Sequence, residues 1–290
     1  MPRFLKKIAN LLIYSEILIS LCAVAATCQT YLLLQKPILW DELLAIVGLS
    51  TMACYVLARL ASLEEMNQMF RQPQNRTQLF YLLCVLMFTT STACFYLFWQ
   101  LKSTVQIVLV SAAAITVLYT LPLIPSKSGW KKLRDIGMLK IFLIAFIWTI
   151  STAVLPVLQC NASFQDPHTW LVILEKALFI FAITLPFDIR DMDYDQSRNL
   201  KTIPQVIGVE KTIELAYFCL AALGLIALIN YLFLPSHPQV SIFIALLISY
   251  RSTAVLIQQT KTDRPDQFYT GLLDATILLQ FLLVWGGGQF

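Results

Sequence analysis

Long apolar segments dominate this 290-residue sequence and are separated by short polar links. A helix that crosses a membrane needs about 20 apolar residues, and each segment is close to that length. The segments lie at about 8–35, 38–60, 79–99, 104–124, 139–159, 169–187, 211–233, 239–259 and 268–289. The pattern predicts an all-α, polytopic membrane protein of about nine transmembrane helices, with an eight-helix arrangement as the alternative.

The composition supports the same fold class. Hydrophobic residues make up 58% of the chain, charged residues make up 13%, and the mean hydropathy is +0.70. Soluble domains carry about 45–50% apolar and about 25% charged residues, so a soluble enzyme and a disordered chain are excluded. The net charge of +4 gives no indication of nucleic-acid binding. With no low-complexity tract or linker in the sequence, we expect one membrane domain over residues 1–290.

The positive charges predict the orientation. Of the 21 Lys and Arg residues, 18 fall in alternate links and the adjoining helix ends, Lys36 and Lys102 fall on the opposite side, and Lys176 lies within a segment. Cationic links stay in the cytoplasm, so the N-terminus is predicted to be cytoplasmic. The long polar links, at about 61–78, 125–138 and 188–210, then share that face. We expect an integral protein of a bacterial inner membrane with its functional site on the cytoplasmic face.

An acidic cluster follows the sixth segment. On a helix, Asp188, Asp191 and Asp195 fall at about 0°, −60° and −20°, so their carboxylates share one face, whereas Asp193 points about 140° away. These three residues are called the aspartate cluster below. Like charges repel on one face, and the C-terminal end of a helix disfavours negative charge. A divalent cation would resolve this conflict, and an all-oxygen ligand set suits Mg²⁺.

Two other interpretations stay open at this point. The acidic residues also fit a solvated loop whose charges pair with Arg190, Arg198 and Lys201. Ionisable residues within the apolar segments raise transport as a further hypothesis, since such residues are costly in lipid. They are Glu16, Glu175, Lys176, Glu214 and Asp274. Their spacing shows no repeated or inverted pattern, so structural polar contacts are the favoured interpretation of these five.

The stretch from Asp188 to Pro204 resembles the second aspartate motif of the UbiA superfamily of intramembrane prenyltransferases. That motif has the pattern D-x-x-D-x-x-x-D followed by K-T-[LI]-P, and the sequence contains every fixed position, including Lys201, Thr202 and Pro204. The nine predicted helices and the position of the motif after the sixth also agree with that family.

The resemblance implies a function. Family members bind an isoprenyl diphosphate through Mg²⁺ and transfer the prenyl group to a lipid-soluble acceptor in the membrane, here an aromatic quinone precursor. It implies that the aspartate cluster supplies both the catalytic residues and the Mg²⁺ ligands. It also implies that basic residues of the two neighbouring links bind the diphosphate. They are Lys127, Lys131, Arg134, Arg198 and Lys201.

The first aspartate motif of the family departs from the pattern in this chain. Its three ligand positions align with Ala58, Ser62 and Met66, which carry no carboxylate. Glu64 and Glu65 lie nearby, out of register, and are candidate compensating carboxylates. The alternative function is therefore a catalytically impaired UbiA-like protein that binds prenyl lipid or diphosphate without turnover.

Overall fold

The computed structural model describes residues 16–60, 73–126, 129–234 and 239–288, with the side chains of 73–79 and of Ser126 left aside. Helices make up most of it. Labelled in chain order, the long ones are α1 Ile17–Leu33, α2 Glu42–Leu60, α3 Pro73–Phe98, α4 Ser103–Thr120, α5 Leu139–Gln159, α6 Pro167–Arg190, α9 Val209–Phe233, α10 Val240–Ile257 and α11 Phe268–Gly287. The short helices α7 Met192–Ser197 and α8 Ile203–Ile207 lie between α6 and α9.

The all-α membrane fold class is confirmed. Each predicted apolar segment contains one long helix, and among the described residues eight helices have the length and composition to cross a membrane. The remaining apolar helix, α1, spans 17 described residues, and the part of its predicted segment before residue 16 lies outside the described ranges. The total of nine spans and the cytoplasmic N-terminus therefore stay predictions.

Helix α6 lies at the centre of the bundle. In its apolar stretch 56% of the residues are buried, against 11% in α3 and 17% in α4. Phe179, Ile183 and Leu185 of α6 belong to the main apolar core together with residues of α1, α5, α9, α10 and α11. About half of the described side chains of α3 and α4 are exposed, so these two helices lie at the periphery of the bundle.

Chain reversal brings the start of α5 next to the end of α6, because consecutive spans run in opposite directions. The link before α5 contains a small antiparallel hairpin, β1 Ile124–Ser126 with β2 Gly129–Lys131, and a 3₁₀ turn at Leu133–Asp135. The first turn of α5, the last turn of α6 and the two flanking links therefore meet at one end of the bundle, which we call the motif end.

Candidate functional site: an aspartate cluster around a buried lysine

The aspartate cluster lies where α6 passes into α7. Asp188 is in the last turn of α6, Asp191 follows the helix end, and Asp195 is in α7. The N–H of Asp191 bonds the carbonyl of Phe187 at 2.9 Å, and the N–H of Asp195 bonds that of Asp191 at 2.8 Å. The helical spacing thus continues across the break, and the carboxylates share one face. Asp188 and Asp195 are 1% and 2% exposed, whereas Asp193 is exposed.

The ammonium group of Lys140 lies in the middle of this cluster. Its Nζ is 2.9 Å from Oδ1 of Asp188, 3.0 Å from Oδ2 of Asp195 and 3.8 Å from Oδ2 of Asp191. Lys140 is in the first turn of α5 and is only 5% exposed. It donates a hydrogen bond to Asp195 and forms a close ion pair with Asp188.

A second cation, Arg190, approaches the cluster from the other side. Its Nε donates to Oδ1 of Asp191 at 2.7 Å, and its guanidinium lies over the rings of Phe187 and Tyr269, at 5.1 and 5.6 Å from their centroids. Aromatic faces attract cations, so both rings help to hold the arginine in place. The cluster thus combines three carboxylates with two cations, which leaves one net negative charge when all five groups are ionised.

The observed arrangement does not fit Mg²⁺. The space between Asp188 and Asp195 contains the Lys140 ammonium at N–O distances typical of a charge-assisted hydrogen bond, whereas Mg²⁺ needs oxygen ligands at about 2.0–2.1 Å. Within the described ranges, no group of three His, Cys, Asp or Glu side chains is placed to hold a metal ion. The Mg²⁺ expected from the sequence therefore stays a prediction, and Lys140 is the cation that the geometry assigns to these carboxylates.

The links on either side of the cluster are packed closely together. A Cβ added to Gly137 would lie 2.5 Å from the backbone oxygen of Lys201, so this approach requires glycine, which also has a positive φ of 29°. Gln205 then ties the second link to α7: its side chain accepts from the N–H of Thr202 at 3.4 Å and donates to the carbonyl of Met192 at 3.1 Å. The K-T-I-P segment, residues 201–204, thus positions the helix that carries Asp195.

Four of the five predicted diphosphate-binding residues are described, and they lie in the links at the motif end. Lys131 is exposed on β2, and Lys201 is exposed beside Gly137. Arg134 is half-buried on the 3₁₀ turn and acts electrostatically on Tyr119, as Lys140 does. Arg198 lies 3.6 Å from Asp135 and 4.9 Å from the ring centroid of Tyr194. Lys127, Glu64 and Glu65 lie outside the described residues, so their predicted roles stay predictions.

The first-motif position that the structure describes has no metal ligand. Ala58 is half-buried on α2, and Arg59 beside it forms an ion pair with Glu16, which precedes α1. Asp274 lies within electrostatic reach of both Glu16 and Arg190. Charged side chains from the start of α1 and from α2, α6 and α11 thus lie close together among the helices. The other two first-motif positions, Ser62 and Met66, are outside the described ranges.

A separate polar network explains two of the buried charges. Glu175 accepts hydrogen bonds from Asn230 at 3.1 Å and from Tyr231 at 3.0 Å, and Lys176 donates to Gln29 at 2.7 Å and to the carbonyl of Ala26 at 3.2 Å. His168 joins the network through a 2.7 Å contact with Asn230. These contacts connect α1, α6 and α9, which agrees with the structural interpretation of these residues rather than with transport.

Lys140 is the site residue that sequence reasoning missed. It counted only as a positive charge that predicts the orientation, because it stands one residue inside an apolar segment. Arg190 entered the sequence analysis as an ion-pair partner of the acidic residues in the solvated-loop interpretation, and the structure places it beside Asp191. A signal for Lys140 was present in the sequence: a lysine at the start of a span is costly unless an anion is nearby. Sequence alone did not identify which anion it was.

Comparisons with known proteins concern the family and the fold. Residues 76–277 match the model of the UbiA prenyltransferase family. No curated protein matches the sequence. A UbiA homologue from Archaeoglobus fulgidus, solved with GPP and Mg²⁺, superimposes with a TM-score of 0.65 at 9% identity, covering 96% of this chain and 99% of that one.

Two further structures share the fold. The apo UbiA homologue from Aeropyrum pernix K1 has a TM-score of 0.59 at 16% identity, with 94% of this chain and 97% of that one covered. A structure described for digeranylgeranylglyceryl phosphate synthase has a TM-score of 0.57 at 14% identity, with 98% and 99% covered. At these identities the likeness concerns the fold.

Proposed function

Because the chain belongs to the UbiA prenyltransferase family, we propose that it transfers an isoprenyl group from an isoprenyl diphosphate to a membrane-soluble acceptor of the aromatic, quinone-precursor class. The observation that carries this proposal is the complete second aspartate motif, folded as one carboxylate face beside two basic links. The Archaeoglobus fulgidus homologue of the same fold binds GPP, which supports an isoprenyl diphosphate as the donor.

The basic residues have a defined part in this proposal. Charge builds on the departing diphosphate as the allylic carbon–oxygen bond breaks, and preorganised cations stabilise that charge. Lys131 and Lys201 are exposed on adjoining links and accessible to a ligand, and Arg134 is half-buried on the 3₁₀ turn that follows β2. We assign diphosphate binding to these three, together with Lys127 and Arg198. Because the aspartate cluster does not fit Mg²⁺ as observed, no step of the reaction is assigned to a metal.

A second candidate function is binding without turnover. Two observations favour it: Ala58 stands at a ligand position of the first motif, and the carboxylates of the second motif are engaged by Lys140. Electrostatic stabilisation of a developing charge is usually the largest single contribution to catalysis, so a loss of carboxylate–metal contacts lowers the rate by several decades. A protein of this kind would hold a prenyl diphosphate or prenyl lipid at the motif end.

One experiment separates the two candidates. Purified protein in lipid nanodiscs is given radiolabelled geranyl, farnesyl or geranylgeranyl diphosphate, with and without an aromatic acid acceptor. Retention of label on the protein and transfer of label to a lipid-soluble product are measured on the same samples. The variants are Asp195→Asn and, as a matched control on the opposite face, Asp193→Asn.

The outcomes are distinct. Transfer that Asp195→Asn abolishes and Asp193→Asn retains supports the prenyltransferase. Retention of label without transfer supports the binding protein. The absence of both, in a preparation that melts cooperatively, would refute both functions.

A further inference from the structure

At the motif end, two buried charges each lie at the helix end whose dipole disfavours them. Asp188 lies in the last turn of α6, where the helix dipole disfavours negative charge, and Lys140 lies in the first turn of α5, where it disfavours positive charge. Each group is unfavourable on its own helix. Since the two helix ends adjoin, the pair resolves both conflicts.

Burial makes the pairing obligatory. The side chains of Lys140, Asp188 and Asp195 are 6%, 1% and 3% exposed, so bulk water does not solvate their charges. A buried charge needs a partner of opposite sign, and within the described residues the Lys140 nitrogen has only the three members of the aspartate cluster within 4 Å.

The position of the ammonium matters as much as its charge. It lies at 2.9 and 3.0 Å from oxygens of two carboxylates a helical turn or more apart, which is where a bridging cation would sit. A divalent ion bridging the same two oxygens would need the lysine nitrogen to leave. Beyond Lys140, residues 141–159 of α5 contain no Asp or Glu and so provide no alternative anion.

We propose that Lys140 is the resident cation of the aspartate cluster, an ammonium in the place of a divalent metal. Lys140 and Arg190 then offset two of the three carboxylate charges in the resting protein, and the alignment of the carboxylates needs no Mg²⁺. This inference concerns the resting protein and holds whether or not the chain transfers a prenyl group.

The test compares metal dependence before and after removal of the ammonium. The variant Lys140→Met keeps the length of the side chain and removes its charge, and Lys211→Met is the matched control, because Lys211 is an exposed lysine at the start of α9. Mn²⁺ serves as the probe, with binding measured by electron paramagnetic resonance and thermal unfolding measured in EDTA and in MgCl₂. Neither readout requires activity.

The expected results follow from the positive charge that Lys140 contributes to the cluster. The wild type and Lys211→Met should unfold at the same temperature in EDTA and in MgCl₂, with no saturable Mn²⁺ site in the cluster. Lys140→Met should be less stable in EDTA, regain stability in MgCl₂ and bind Mn²⁺ at least about tenfold more tightly than the wild type, because Asp188 and Asp195 then lack a cation and attract the ion. Adding Asp188→Asn to Lys140→Met should weaken that Mn²⁺ site and restore part of the stability in EDTA.

The wild-type measurement alone tests the proposal if Lys140→Met does not fold. A saturable Mn²⁺ site in the wild type that Asp188→Asn removes would overturn it, as would a wild-type unfolding temperature that falls in EDTA. A folded Lys140→Met protein that neither loses stability nor binds Mn²⁺ would overturn it as well.

Discussion

Replacement of Gly137 by alanine tests the contact between the basic link and the acidic motif. The new Cβ would lie 2.5 Å from the backbone oxygen of Lys201 and 3.3 Å from its backbone carbon and nitrogen. Ordinary contact begins at 3.4 Å, so the two links must separate by about 0.9 Å. The new Cβ is fixed to the backbone of residue 137 and meets backbone atoms of Lys201, so no side-chain rotation can relieve the clash.

Two costs add at this position. A non-glycine residue at a positive φ costs about 1–2 kcal/mol, and overpacking typically costs about 1–3 kcal/mol. We therefore expect Gly137→Ala to lower the free energy of unfolding by about 2–5 kcal/mol. The unfolding entropy of a 290-residue chain is about 0.6 kcal/mol/K on the scale of globular proteins, so the unfolding temperature should fall by about 3–8 °C.

Two other glycines separate these costs. Gly129 has a φ of 108° but nothing within 4 Å of an added Cβ, so Gly129→Ala reports backbone strain without a clash. Gly286 lies in α11 with nothing within 4 Å and no positive φ, so Gly286→Ala should be neutral or stabilising by about 0.5–1 kcal/mol. The assay is thermal unfolding at one scan rate in one detergent. If Gly137→Ala unfolded no lower than Gly129→Ala, the argument that the two links are in close backbone contact would be wrong.

Three further substitutions test other parts of the structure. Gln205→Ala removes two hydrogen bonds that tie the K-T-I-P segment to α7, and should cost about 1–2 kcal/mol and raise hydrogen exchange of the α7 amides. Tyr231→Phe leaves an oxygen of the buried Glu175 without its donor, and should cost about 1–3 kcal/mol in thermal unfolding; an unchanged unfolding temperature would contradict the network. Lys201→Met should weaken binding of labelled prenyl diphosphate about tenfold, as expected for one lost charge-assisted contact, whereas Lys211→Met should leave it unchanged.

Local sequence patterns were sufficient to predict the helices and the acidic face. An apolar stretch of membrane length has few alternatives to a helix, because in lipid every backbone polar group must be bonded within the chain. The spacing of Asp188, Asp191 and Asp195 likewise predicts a common face from helix geometry alone, and the structure brings them together despite the break at Asp191.

The neutralising partner of that face was beyond sequence reasoning. Lys140 is 48 residues from Asp188 along the chain (140 to 188), and its role depends on how α5 packs against α6. In sequence it is one of several lysines and arginines on the same predicted side. The expectation of Mg²⁺ rested on the acidic conflict and on the family resemblance, both visible in the sequence, whereas the nearby ammonium was not visible there.

The sequence by itself determined that this chain is an all-α membrane protein with three carboxylates on one helix face, because hydropathy and helical spacing are local properties. The resemblance to the UbiA family came from the second aspartate motif. Only the tertiary structure decided which cation lies among those carboxylates and that the link before α5 contacts the link after α7. The Lys140 ammonium and the contact of Gly137 with Lys201 both join segments distant in the sequence. Charge compensation in a buried site depends on distances of a few ångströms between such segments, and those distances exist only after the helices have packed.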